Sequence, residues 1–178
     1  MKTRILGILA GIALLLSAAS VYAGGPPPKP EQISLTYTFV DYTNYDPGTC
    51  DSSTDLPYAG DPACVEYTAS VSNLTGDFVG TEFEEDTIVF FANGGYSYFG
   101  YEMWTGELEG RGTSTLVVLG DGIATPSGFA TGKLRIVDGT GTGNLVGISG
   151  SGNYTGNSMT GIYPATMTVE FPGPPYHH

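Results

Sequence analysis

Residues 139–156 read GTGTGNLVGISGSGNYTG, with glycine every two to four positions between strand-forming residues, just after the run LRIV (134–137). Glycine at that density suits strands that bend, bulge and let neighbouring backbones approach closely. The run GTGTGNLVG has the outward look of a dinucleotide-binding fingerprint. It leads into a strand rather than a helix, so that reading fails.

Outward from this stretch the chain reads as about eight strands and no helix. ISLTYTFV (33–40) alternates, with Ile33, Leu35, Tyr37 and Phe39 on one face. VEYTASVSNL (65–74) sets Val65, Tyr67, Ala69 and Val71 against Glu66, Thr68, Ser70 and Ser72, and the apolar set is the expected inner one. GTEFEEDTIVFF (80–91) runs to Asn93-Gly94, a type I′ hairpin signal. YSYFGYEMWTGELEG (96–110) returns, and TSTLVVL (113–119) ends at Gly120-Asp121-Gly122, read as a turn. Segments 127–137, 142–154 and 161–171 follow, the last with Tyr163, Ala165, Met167, Val169 and Phe171 inward. Short sequential strands joined by hairpins favour an all-β, single antiparallel eight-stranded β-barrel, because closure removes exposed edges.

The ends read differently. Residues 1–23 carry Lys2 and Arg4, an apolar run from Ile5 to Leu16, and Val21-Tyr22-Ala23 before Gly24, the pattern of a secretory signal peptide. The apolar run is too short to span a bilayer comfortably, and no other stretch could cross one as a helix. A periplasmic or secreted protein is expected. Residues 24–32 form a proline-rich leader, 33–172 the barrel domain, and 173–178 a tail that ends in His177 and His178, the only histidines. Without Lys2 and Arg4, four basic residues face 18 acidic ones, a net charge of −14. Nothing here would neutralise phosphates, so nucleic acid is not an expected partner.

Residues 41–64 carry turn residues rather than strand pattern, together with the two cysteines, Cys50 and Cys64. In an oxidising compartment these are expected to form a disulfide that pins the loop. A stapled surface loop is the plain reading, and a lid over a barrel mouth is the alternative. Asp46, Asp51, Asp55 and Asp61 are weak calcium candidates whose spacing does not match the EF-hand pattern. No metal site is otherwise expected.

Three further motifs carry a family resemblance. IVDGTGTGNLVGISGSG (136–152) resembles the signature of the allene oxide cyclase-like barrels, a version of which dirigent proteins share. GDFVG (76–80) and YEMWTGELEGRG (101–112) resemble, in order, the motifs of an uncharacterised bacterial family in that superfamily. The likeness covers roughly residues 65–171 and implies the barrel. The plant members guide ring closure or coupling of a reactive hydrophobic molecule without metal or redox cofactors, so no cofactor is implied. Their catalytic residues do not match position by position, and none is transferred. The disulfide-bearing insertion and the export signal depart from the typical bacterial member.

A barrel of this size is either filled or holds one small ligand. Tyr37, Tyr67, Tyr101, Trp104, Tyr163 and Met167 are the candidate ligand-binding residues, since a buried tyrosine needs a partner for its hydroxyl. Both faces of 96–106 are aromatic. The preferred inner face is the odd one, with Phe99, Tyr101 and Met103, which leaves Glu102 in solvent. With the even face inward, Glu102 becomes a buried carboxylate beside Trp104, suited to acid–base chemistry. Simple alternation also points Glu85 inward, and Glu85 and Glu102 are the weak catalytic candidates. Arg111 is read as a partner of Glu102, Glu107 or Glu109. Without a histidine inside the fold, a Ser-His-Asp triad and histidine-based zinc are excluded. The leading expectation is an exported barrel that binds a small hydrophobic molecule. The alternatives are a structural or surface-interaction protein with a filled barrel, and a cofactor-free cyclase or isomerase. Oligomeric state is not legible.

Overall fold

A computed structural model describes residues 29–172. The signal-like segment 1–23, the leader up to residue 28 and the tail from 173 lie outside the described residues. Eight strands follow in order: β1 (Glu31–Asp46), β2 (Ala63–Gly76), β3 (Phe78–Phe91), β4 (Tyr96–Leu108), β5 (Thr113–Ala124), β6 (Phe129–Ile136), β7 (Ser149–Asn157) and β8 (Ile162–Glu170). Each pairs antiparallel with the next, and β8 pairs with β1 to close the barrel. Among the described residues, the one helical piece is a 3₁₀ turn, Gly143–Leu145, inside the glycine-rich stretch that precedes β7.

The interior has two halves. At one end, where β1 begins and β2 meets β3, Ile33, Leu35, Leu74, Phe78, Trp104, Leu108, Leu116 and Met167 form a packed apolar plug. Leu145 and Ile148, from the 3₁₀ turn and the residues after it, are fully buried in the same cluster. The Trp104 ring is the hub, in edge contact with Phe78 (5.3 Å between centroids) and Tyr37 (5.7 Å). Burial of rings this size contributes several kcal/mol, since truncating a buried aromatic costs about 3–5 kcal/mol. Toward the other end the same strands change character, and their inward positions become acids, hydroxyls and tyrosines.

β2 departs most from the sequence reading. Its polar set faces inward: Glu66, Thr68, Ser70 and Ser72 are buried, whereas Tyr67 is 51% exposed. The reason is parity. Leu74 shares its face with Ser72 and Ser70 and is locked in the plug, so the polar residues must follow it inside. Tyr67 lies outside, with its ring close to Gly48 of the disulfide loop.

Local boundaries also differ. β1 continues to Asp46, with register shifts at Phe39/Asp41 and Tyr42/Asn44, so the loop begins later than residue 41. Gly120-Asp121-Gly122 lies within β5; the turn after it is at Thr125–Gly128, closed by a Gly128 N–H to Thr125 carbonyl bond. In the β3–β4 turn only Gly94 has a left-handed backbone (φ 82°), so the turn is not type I′, which needs two such residues.

Cys50 and Cys64 are disulfide-bonded and buried. Thr49 ties the loop back to β2: its N–H donates to the Val65 carbonyl and its Oγ1 accepts from the Val65 N–H. The aspartates are used within the loop, where Asp46 accepts from the Gly48 N–H and Asp51 from the Ser53 N–H and hydroxyl. The disulfide spans a sequence separation of 14, for which chain entropy gives about 3 kcal/mol. Reduction should therefore lower the thermal midpoint by roughly 10 °C, read by circular dichroism with and without reductant. The strand signal should persist below the new midpoint, because no ladder depends on the loop.

Candidate functional site

β3 and β4 build the site. Antiparallel register places Glu84 of β3 directly opposite Glu102 of β4, with Glu82 opposite Trp104 and Asp86 opposite Gly100. Across the other ladder, Ser72 faces Glu82, Ser70 faces Glu84 and Thr68 faces Asp86. All of these positions share the inward parity of Phe78 and Leu108, so the plug that seals one end aims four carboxyl groups into the other.

Glycines make the room. A Cβ at Gly120 would meet the Glu102 carboxylate, and one at Gly132 would overlap the Tyr154 ring and hydroxyl. The β5 and β6 wall is thus thin where β4 and β7 send long polar side chains across the barrel. Gly132→Ala should destabilise the fold by about 1–3 kcal/mol through displacement of Tyr154, visible as an earlier urea midpoint at unchanged m-value.

Tyr37, Phe39, Tyr96, Tyr98, Tyr154, Tyr163, Ile88 and the hydroxyl-bearing face of β2 enclose, with the acids, a cavity of about 110 Å³. Glu102 is 3% exposed. One of its oxygens, Oε2, accepts two hydrogen bonds, from the Tyr37 hydroxyl (2.9 Å) and the Trp104 indole N–H (2.9 Å). Ser70 donates to Glu84 (3.3 Å), and Ser72 donates to Glu82. Glu82, Glu84 and Glu102 each bring a carboxylate oxygen within 4.8 Å of the others. Three buried polar atoms of residues that line this cavity have no hydrogen-bond partner: Glu82 Oε2, Asp86 Oδ1 and the Tyr154 hydroxyl. Among the described residues, no basic side chain lines the cavity.

These acids are far from their ordinary ionisation. Burial raises Glu82 well above the usual carboxylate range, with the Glu102 charge adding to the rise and Ser72 opposing it. Burial likewise raises Glu84, reinforced by the charges of Asp86, Glu82 and Glu102. Asp86 is pushed up to about 6 by burial, against a hydrogen bond with Glu84. Glu102 is pushed up to about 7 by burial, held down in part by the Trp104 and Tyr37 hydrogen bonds. Tyr37 and Tyr154 are raised by burial and then by nearby carboxylates. Like charges this close cannot all ionise in a low-dielectric interior, so protons take the place of absent cations.

A stability effect follows. Acids whose folded pKa lies above the unfolded value favour the native state while protonated, and that contribution fades as pH rises through the folded pKa. With Asp86 at about 6 and Glu102 at about 7, against unfolded values of about 4, stability should fall as pH rises from about 4 to about 7. Each titrating group contributes a slope of up to about 1.4 kcal/mol per pH unit. Glu84→Gln should flatten this slope and raise the thermal midpoint at pH 8; an unchanged or steeper slope would contradict the assignment.

Of the residues singled out in the sequence, Tyr37 and Tyr163 line the cavity. Trp104 supports Glu102 from behind, and Met167 belongs to the plug. Tyr67 and Tyr101 stand outside, Tyr101 at 62% exposed, because the even face of β4 is the inner one. Glu102 is therefore the buried carboxylate and not a solvated one. Glu85 is exposed on the outer face, while its neighbours Glu84 and Asp86 point in. Arg111 sits at the plug end, paired with Glu31 (3.1 Å) and stacked on Phe171 (3.9 Å to the ring centroid). Among the described residues, the acid group with converging ligand atoms is Glu82, Glu84 and Glu102, and not the loop set Asp46, Asp51, Asp55 and Asp61. Among the described residues, none of 47–62 lines the cavity, and the disulfide staples the loop beside β2. Phe99, Tyr101 and Met103 form an exposed apolar run on the outer face of β4, the kind of surface expected of an interaction protein.

Fold and cavity together define a closed antiparallel β-barrel with an apolar plug and an acid-and-tyrosine mouth. The chain belongs to DUF3224, a family described as proteins of unknown function, which matches residues 52–162. It is similar in structure to a DUF3224-family protein of unknown function from Shewanella oneidensis, with a TM-score of 0.57 and 17% identity over 82% of this chain and 99% of that one. None of the curated proteins matches the sequence. Within the described residues, no helix is long and apolar enough to cross a membrane.

Proposed function

We propose that this barrel binds a small molecule in its mouth, with an apolar body against the tyrosine wall and a polar group directed at the acids. The supporting observation is the set of buried polar atoms left without partners, Glu82 Oε2, Asp86 Oδ1 and the Tyr154 hydroxyl, around a cavity large enough for several water molecules. Native interiors satisfy such groups, and a ligand that does so gains what the apo protein forgoes. The wall formed by Tyr98, Tyr154, Tyr163 and Tyr37, with ring centroids 6.2–6.5 Å apart, supplies rigid apolar contact. Phe39, 37% exposed, and the half-buried Tyr96 and Tyr98 mark the opening. A purely hydrophobic ligand is less suited, because it would leave those polar atoms unpaired. The resemblance of residues 136–152 to the allene oxide cyclase-like barrels supports an interior binding site. The disulfide and the signal-like first 23 residues support action outside the cytoplasm.

Glu102 favours a second reading, acid–base turnover of the bound molecule. Its pKa of about 7 suits proton transfer near neutral pH, and Tyr37 and Trp104 fix its orientation. In that case Glu102→Gln would abolish turnover and spare binding.

Native mass spectrometry of the protein from its host's exported fraction tests the main reading. A reproducible extra mass of small-molecule size, lost on denaturation and absent from Tyr154→Ala and Tyr163→Ala protein, is the expected outcome. A bare mass from gently prepared wild-type protein would argue for the surface-interaction alternative.

A further inference from the structure

The cavity combines acids without counter-charges and aromatic faces without occupants. Glu82, Glu84, Glu102 and Asp86 line it, and three of them converge within 4.8 Å. Two of their oxygens, Glu82 Oε2 and Asp86 Oδ1, accept no hydrogen bond, and Glu82 is only 2% exposed. A third buried polar atom, the Tyr154 hydroxyl, belongs to a different strand and is also unpartnered. The described basic residues lie elsewhere: Arg111 is held by Glu31 and Phe171 at the plug end, and Lys29, Lys133 and Arg135 are exposed. Among the described residues, no basic side chain neutralises the cluster.

We propose that the ligand of this site is an organic cation, an alkylammonium group that enters between the tyrosines and ends among Glu82, Glu84 and Asp86. This inference rests on the small-molecule reading above and names the chemistry of its polar group. An ammonium has three donors and no acceptor, the complement of a pocket whose unpaired oxygens are carboxylate acceptors. Charge-assisted hydrogen bonds of this kind are about twice as strong as neutral ones. Tyr98, Tyr154 and Tyr163 line the same cavity, aromatic contact for the cation and the methylenes behind it. A hard divalent ion is the rival occupant of three carboxylates, but it takes six to eight oxygens or keeps a water shell. The tyrosine rings that line much of this cavity give an organic cation contacts that a metal ion would not use. On binding, carboxylic protons held by the free cluster pass to solvent as the ammonium takes over the charge balance. The other titratable groups that line the cavity are Tyr37, Tyr96, Tyr98, Tyr154 and Tyr163; burial raises Tyr37, Tyr96 and Tyr154 above the ordinary tyrosine value, and phenols stay protonated at neutral pH, so the released protons come from the acids.

Isothermal titration of the protein with butylammonium, n-butanol and Ca²⁺ at neutral pH tests this directly. The expected result is binding of butylammonium, with heat that varies with the ionisation enthalpy of the buffer, and none of n-butanol. Glu82→Gln/Glu84→Gln should weaken it roughly ten- to hundredfold while melting cooperatively, since the change relieves like-charge repulsion. Butanol binding as tightly as the amine would overturn the cation and leave a neutral ligand in the same cavity. Calcium binding without amine binding would make the site metallic. No binding of any probe would overturn the inference, while the native mass measurement separately decides whether the cavity is occupied.

Discussion

The hydrogen-bonded pairing of β3 with β4 is the constraint on which the rest depends. It sets Glu84 against Glu102 and flanks them with Glu82 and Asp86, inside a barrel where none of the described basic side chains meets them. Like charges opposite one another on a ladder are destabilising in water and more so when buried. The molecule tolerates the arrangement through protonation, through hydroxyl donors from Ser70 and Ser72, and through the double hydrogen bond that Tyr37 and Trp104 give to one oxygen of Glu102.

The apolar half makes that tolerance affordable. Trp104, Phe78, Leu74, Leu108 and Leu116 are at most 2% exposed. The closed ladder leaves no edge to fray. Trp104 belongs to both halves, since its ring packs in the plug and its N–H reaches Glu102. A strongly built end thus holds an electrostatically costly one in place, the usual division between scaffold and site.

Much of the architecture was legible in the sequence. Eight strands, sequential hairpins, closure and the disulfide follow from alternation, turn residues and cysteine usage, and β8 alternates as read. The inner face of the site strands was not legible, and the reason is specific. On β2 the apolar residues Val65, Tyr67 and Val71 face out and the polar ones face in, so hydrophobicity pointed the wrong way; the same rule favoured Tyr101 over Glu102 on β4 and Glu85 over Glu84 on β3. The corrective signal was present at the hairpin. Leu74 and Phe78 flank the β2–β3 turn in the same parity as Ser72 and Glu82. Counting back by two from those anchors yields Ser70, Thr68, Glu84 and Asp86 as inner residues. Averaging over a strand hides a change of character along its length, and in this barrel that change separates plug from mouth.

The central claim is that burial and mutual repulsion hold the acids of this cluster well above the ordinary carboxylate range in the free protein. Carbon-detected NMR titration of protein labelled at the glutamate carboxyl carbons, with Glu82→Gln, Glu84→Gln and Glu102→Gln used for assignment, tests it most directly. The account predicts that Glu82 and Glu84 titrate well above the ordinary glutamate range and Glu102 near pH 7. If all three ionised in the ordinary range, the cluster would be solvated and the account of the site would be contradicted.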